Sequence, residues 1–269
     1  MTATVFALSL TVCGAAQSLD RPWERPDGVI EFKGQTFKSW RAYHESPLFD
    51  RANKCTAPDP AANNGGQGQV GAFRGISVDD CTMSSTTIDA DYDPAVGEYR
   101  IPVVVHGIRN TSGTSGDISF EKVESGIRIL NEDMNALVGT PGENGNFAGL
   151  EFYLADVDPD GNPTDGVTFS NNDTWFNDGG NYWESLAWDP QRYLNIYTTT
   201  ASGALGYVSG FPADGTAGQI YDRVVILWST YGEDAPYGAP YNYGRTLTHE
   251  VGHYLGLFHT FQGGCGSSD

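Results

Sequence analysis

Apolar positions along this chain fall into two periods from Tyr99 onward. Ile101 to Ile108 is mostly apolar and rich in β-branched residues, the pattern of a strand buried on both faces. Pro102 is tolerable near its start, because a first-position proline gives up little of the hydrogen-bond ladder. Phe120, Val123, Ile127, Leu130, Met134 and Leu137 then recur at alternating spacings of three and four. That stripe predicts one face of an amphipathic helix, with Ser119 as N-cap and Glu121 in the first turn. Leu150 to Ala155, Tyr193 to Tyr197 and Val224 to Trp228 read as further strands, and Arg245 to Leu255 as a second helix. Strands and helices so interleaved predict one α/β domain, a mixed, twisted sheet packed against both helices.

The second helix carries the chemistry. His249 and His253 are four apart, hence on one helical face, where both imidazoles can reach one zinc ion at about 2.0–2.1 Å. Glu250, one step round, stands beside the metal, where it can take a proton from a zinc-bound water of lowered pKa. Gly256 is suited to end the helix in a left-handed turn, and that turn brings His259 back as a third ligand. Three protein ligands leave a position for water and substrate, which marks a catalytic zinc. Three of the five histidines in the chain lie in this one segment, which argues against an amphipathic helix with incidental histidines. His106, at the end of the first strand, reads as structural.

His249-Glu250-Val251-Gly252-His253-Tyr254-Leu255-Gly256-Leu257-Phe258-His259 has the form of the HExxHxxGxxH signature of metzincin metallopeptidases. The flanks Tyr241 to Thr248 and His259 to Cys265, with Tyr99 to His106 and Ala204 to Val208, resemble the pappalysin family, in particular its ulilysin-like bacterial secreted members. The resemblance runs from about Tyr99 to the last residue. It implies a metzincin-like upper subdomain: a mixed twisted sheet, a long backing helix and the zinc helix. It also implies a zinc endopeptidase acting on protein or peptide substrates. Ala204 to Val208 resembles the edge strand above the cleft, which makes Gly206 and Tyr207 candidate substrate contacts by main-chain pairing; an ordinary surface turn built on Gly203 and Gly206 is the other reading. Cys55 resembles the pro-segment cysteine whose thiolate caps the zinc of the latent precursor, although Thr56 stands where the family has glycine. A disulfide between Cys55 and Cys81 is the alternative. The family also binds calcium, with ligands expected mainly past Asp269.

Two departures bear on the rest. Asp156 to Gly161 begins like a calcium loop, but position twelve is Val167 rather than a bidentate glutamate, so a Pro-Asp-Gly turn is expected. The methionine turn and tyrosine that the family places after the third histidine are not found after His259. The expectation is therefore a truncated catalytic domain, a fragment in preference to a natural truncation, its lower subdomain missing, with weak zinc binding and little activity on its own.

Before Tyr99 the chain is poor in apolar periods. Val5 to Cys13, followed by small residues, predicts a signal peptide over residues 1–16 and secretion, although a positively charged start is missing. By the family resemblance residues 17–98 are a pro-segment and linker, with Pro58 to Gly68 flexible; Phe37, Trp40, Tyr43 and Phe49 are available to dock on residues 99–269, and packing in a small independent unit is the other reading. A net charge of −19 over 269 residues repels nucleic acid and anionic lipid, so neither is expected as a partner. No later apolar run approaches membrane-spanning length, and oligomeric state is not legible. Two rival functions stay open: a zinc hydrolase of a non-peptide amide, and a zinc-binding module without catalysis, against which the intact Glu250 argues.

Overall fold

A computed structural model describes residues 21–50, 54–55, 99–143 and 146–259. Trp23–Glu24 (β1), Ile30–Phe32 (β2) and Gln35–Phe37 (β3) form a small antiparallel sheet, followed by a short helix, Trp40–His44 (α1). The Ser39 hydroxyl caps that helix by accepting from the Ala42 amide. Neither the strands nor the helix has a period long enough to be read from the sequence.

The main sheet is built on Tyr99–Arg109 (β4), the predicted apolar strand extended at both ends. A loop then leads to Phe120–Met134 (α2), where Ser119 Oγ accepts from the Lys122 amide as expected of an N-cap. The helix stops before Leu137, because Ala136 turns left-handed at φ 48° and leaves Leu137 exposed. Leu150–Leu154 (β5) and Val167–Asn171 (β6) both pair with β4 in parallel, one after the other along the same edge. The second of these is not legible in the apolar pattern, since its five residues are all half-buried or exposed. Two short helices, Asp173–Phe176 (α3) and Tyr182–Leu186 (α4), carry the aromatic-rich insert to Leu194–Thr199 (β7). Gly206–Val208 (β8) and Val224–Leu227 (β9) complete the sheet in the order β5-β4-β7-β9-β8, and Arg245–Tyr254 (α5) is the predicted zinc helix. Every pairing is parallel except that of β8, which lies antiparallel on β9 at the edge.

Side chains alternate between two cores, as a period of two requires. Val103, Val105, Ile196, Val224 and Ile226 face α2 and α5, meeting Ile127, Leu130, Leu247 and Val251. Tyr197, Val225 and Leu227 face the other way and pack in one cluster with Ile30, Phe32, Trp40, Tyr43 and Phe49. The N-terminal unit thus forms a third layer over the sheet. Phe37 is only partly buried at its margin, whereas Trp40, Tyr43 and Phe49 are buried. No described helix is long and apolar enough to cross a membrane.

Candidate metal centre

Helix α5 places His249 and His253 on one face, and its C-terminus is closed by Gly256 at φ 100°. The Gly256 amide donates to His253 O and the Leu257 amide to Gly252 O, each at 2.9 Å, a Schellman closure that reverses the chain toward His259. The three Nε2 atoms stand 3.1, 3.1 and 3.2 Å apart. A tetrahedral zinc with bonds of about 2.0–2.1 Å needs nitrogens roughly 3.3 Å apart, so the donor set fits the ion. The Leu257 carbonyl can only accept, so His253 Nδ1 carries the proton at 2.6 Å and Nε2 keeps its lone pair for a metal. Burial, with His253 and His259 adding, holds His249 down at about 4, which keeps that imidazole neutral and able to ligate a metal.

Cys55 completes the cluster. Its Sγ lies with the three histidine nitrogens in one group, all within 4.8 Å of one another, and approaches Glu250 Oε2 at 3.6 Å. Cys81, its alternative disulfide partner, lies outside the described residues, as do Cys265, the Pro58 to Gly68 linker and the signal segment. The Leu205 amide donates to Lys54 O at 2.9 Å, and Cys55 bridges Gly206 in parallel. The segment before Thr56 therefore lies along the free edge of β8, over the histidines.

Glu250 is buried, its carboxyl pushed up to about 8 by burial, with the Cys55 contact opposing. A divalent cation at the triad acts in the opposite direction. Gly206 is a glycine for a local reason: a Cβ there would meet Glu250 Cγ at 2.6 Å and Oε1 at 2.9 Å. Tyr207 turns its side chain away from the cleft, its hydroxyl donating to Asp178 Oδ1 at 2.8 Å, so only its main chain faces the edge. A cleft of about 470 Å³ opens beside the triad, lined by Lys54, Cys55, Leu205, Tyr241, Glu250 and His259 among others.

Two acidic residues that hold this site were not legible in the sequence. Asp133, on the polar face of α2, accepts from Arg245 Nη2 at 2.9 Å and Thr248 Oγ1 at 2.8 Å, clamping the first turn of α5. Asp178 lies in the aromatic insert, where nothing in the local pattern marks it. His106 is buried and bonded to Thr168 and Asn195, as a structural histidine should be. Asp158 accepts from the amides of Asp160 and Asn162 at 3.0 and 2.8 Å, so the turn itself uses the carboxylate expected to be part of a turn.

Residues 181–269 match the family described as Pregnancy-associated plasma protein-A. Extracellular metalloprotease 1 of Coccidioides posadasii is 35% identical over 160 residues, covering 57% of this chain and 49% of that protein. An extracellular metalloprotease of Colletotrichum graminicola is 34% identical over 187 residues, covering 65% and 57%. Two solved structures carry the fold as well as the sequence. A promirolysin from Tannerella forsythia aligns at 34% identity and TM-score 0.53, over 64% of this chain and 60% of that one. Mature mirolysin from the same organism, in complex with a cleaved peptide, aligns at 35% and 0.52, over 61% and 66%.

The match over residues 181–269 and the likeness to mirolysin in sequence and fold together support a pappalysin-family metzincin. The sheet order, the antiparallel β8 and the backing helix are the mixed α/β architecture of a pappalysin upper subdomain. The chain spans about half the length of the curated relatives it matches, 49% and 57% of the first two.

Proposed function

We propose that this chain belongs to the precursor of a secreted zinc endopeptidase, held latent by Cys55. The observation that supports this best is the convergence of three Nε2 atoms at 3.1–3.2 Å beside a buried glutamate and beneath an edge strand. His249, His253 and His259 hold the zinc, which when bound polarises a peptide carbonyl and acidifies water. Glu250, packed under Gly206, takes the proton from the attacking water on its carboxylate and passes it to the leaving amine nitrogen. Strand β8 offers main-chain groups to an extended peptide, the role that Lys54 and Cys55 occupy in the latent chain. Thiolate is a stronger zinc ligand than water, so Cys55 closes the fourth position that catalysis needs open.

Residues 17–98 serve as the pro-segment and linker in this reading, and residues 1–16 direct export. The relatives' names, extracellular metalloproteases, agree with secretion. The family resemblance adds calcium as a second ion of the complete protein.

The test is cleavage of casein by the complete protein and its Glu250→Ala variant, with zinc content measured in both. The expected result is cleavage by the parent, none by the variant, and equal zinc. Cleavage that survives Glu250→Ala overturns the mechanism, and bound zinc with no cleavage by the processed parent favours a binding module.

A further inference from the structure

Behind the edge strand, the backbone adopts a conformation that L residues avoid at three places brought together by the fold. Ala201 and Ser202 are left-handed at φ 47° and 51°, and Asp178, across the sheet end from them, is left-handed at 58°. Such outliers persist only where the surroundings hold them, and they concentrate at functional sites. Here the holding group is one carboxylate. Asp178 Oδ2 accepts from Ser202 Oγ at 2.5 Å, while Oδ1 accepts from Tyr182 OH at 2.7 Å and Tyr207 OH at 2.8 Å.

Asp178 is 9% exposed, and burial raises its pKa while the hydrogen bonds from Ser202, Tyr182 and Tyr207, and then the Arg223 charge, oppose. Arg223 stacks over Trp183 at 3.8 Å. A phenylalanine at position 207 would fill the same space without a hydroxyl needing a partner, so packing alone does not account for this network.

Its connections lead to the cleft. Ser202 precedes β8 and Tyr207 lies within it. Between them Leu205 donates to Lys54 O, and Gly206 rests on Glu250 with no room for a Cβ. A small displacement of β8 would move the peptide-pairing edge, while Glu250 stays in place on helix α5. We propose that Asp178 is a positioning residue for peptide binding: through Ser202 and Tyr207 it fixes β8 over Glu250 and the histidine triad, so that the edge meets an extended peptide in register. This rests on the peptidase reading above.

The test uses Asp178→Asn, Ser202→Ala and Tyr207→Phe in the complete protein, with two readouts. In the latent chain, amide hydrogen exchange at Leu205 and Gly206 should speed up by about tenfold, with Ile196 and Ile226 in the sheet core unchanged. In the processed enzyme, KM for an extended peptide should rise about five- to tenfold, with kcat, zinc content and pH profile held within about twofold. Should Asp178→Asn not fold, Tyr207→Phe keeps the ring in place and decides. Unchanged exchange at Leu205, equal acceleration in the core, or a fall in kcat at constant KM would each overturn the proposal. A parent that cleaves nothing defeats the peptidase reading instead, and the exchange measurement still decides the positioning role.

Discussion

His44 ties the N-terminal unit to the zinc domain, and its protonation should loosen that tie. Its Nε2–H donates to Gly203 O at 2.8 Å, and Nδ1 accepts from Tyr237 OH at 2.7 Å, with the two rings stacked. Both ring nitrogens are thus committed in the neutral form, and protonation at Nδ1 would set a donor against the Tyr237 hydroxyl as now oriented. Burial holds His44 down at about 4; the bond to Gly203 opposes, and the charge of Lys54 adds to the depression. The charged neighbours Arg41 and Glu45 pair with each other at the surface.

With a folded pKa near 4 and an unfolded one near 6.5, the unfolded chain takes the proton first. The stabilisation is therefore complete above about pH 6.5, drains as pH falls, and is gone below about 4. Linkage puts the loss between pH 7 and pH 5 at about 2 kcal/mol, and the whole effect at about 3 kcal/mol. The assay is urea unfolding at pH 7, 6 and 5 for the parent and His44→Gln, followed by tryptophan fluorescence. Trp40 of the N-terminal unit and Trp228 of the zinc domain both donate to Glu24 Oε2, at 2.6 and 3.2 Å, so their emission reports docking. Glu24, raised by burial, works in the opposite direction, and His106, held at about 4, in the same one. Both are present in parent and variant, so the difference between the two isolates His44. The parent should lose about 2 kcal/mol more than the variant between pH 7 and pH 5. Equal slopes would refute the reasoning.

Gly206→Ala should lower peptide cleavage by about 10–100-fold with zinc retained, because a Cβ 2.6 Å from Glu250 Cγ must shift either the strand or the carboxylate; parent-like turnover would mean that the contact is slack. Cys55→Ala should make the unprocessed protein cleave casein, since Sγ is the one thiol within reach of the histidine nitrogens among the described residues. Equal latency in variant and parent would assign the block to the Lys54 pairing with β8 and exclude the thiol.

Helix α5 and the convergence of its histidines were legible because each requirement is local. Two histidines four apart, a glutamate between them and a glycine at the reversal all fall within eleven residues, where helical geometry alone converts spacing into position. Helix α2 was legible for the same reason, down to its Ser119 cap. Strand β6 was not, because it covers only the far end of an edge of β4 and buries too little on either face to alternate. Asp133 and Asp178 were illegible for a different reason. Each acts on residues far along the chain, Arg245 and Thr248 in one case and Ser202 and Tyr207 in the other, and an isolated aspartate carries no sign of a distant partner.

The N-terminal unit lies between these cases. Trp40, Tyr43 and Phe49 stood out as docking side chains by their bulk, but their spacing fits no period of their own because the surface they match belongs to β7 and β9. Docking also recruits polar groups that composition cannot pair: Glu24 reaches Trp228, Arg21 Nη1 donates to Asp178 O at 2.7 Å, and Pro22 leaves no room for a Cβ at Gly203. Pro22 and His44 both meet Gly203 in the turn before β8, the turn in which Ser202 is bonded to Asp178. The unit therefore does more than bring Cys55 to the histidines. In the precursor reading proposed above, displacing it would expose part of the cluster it shares with Tyr197, Val225 and Leu227 and would remove the His44 bond from Gly203, in the turn that leads to the edge strand.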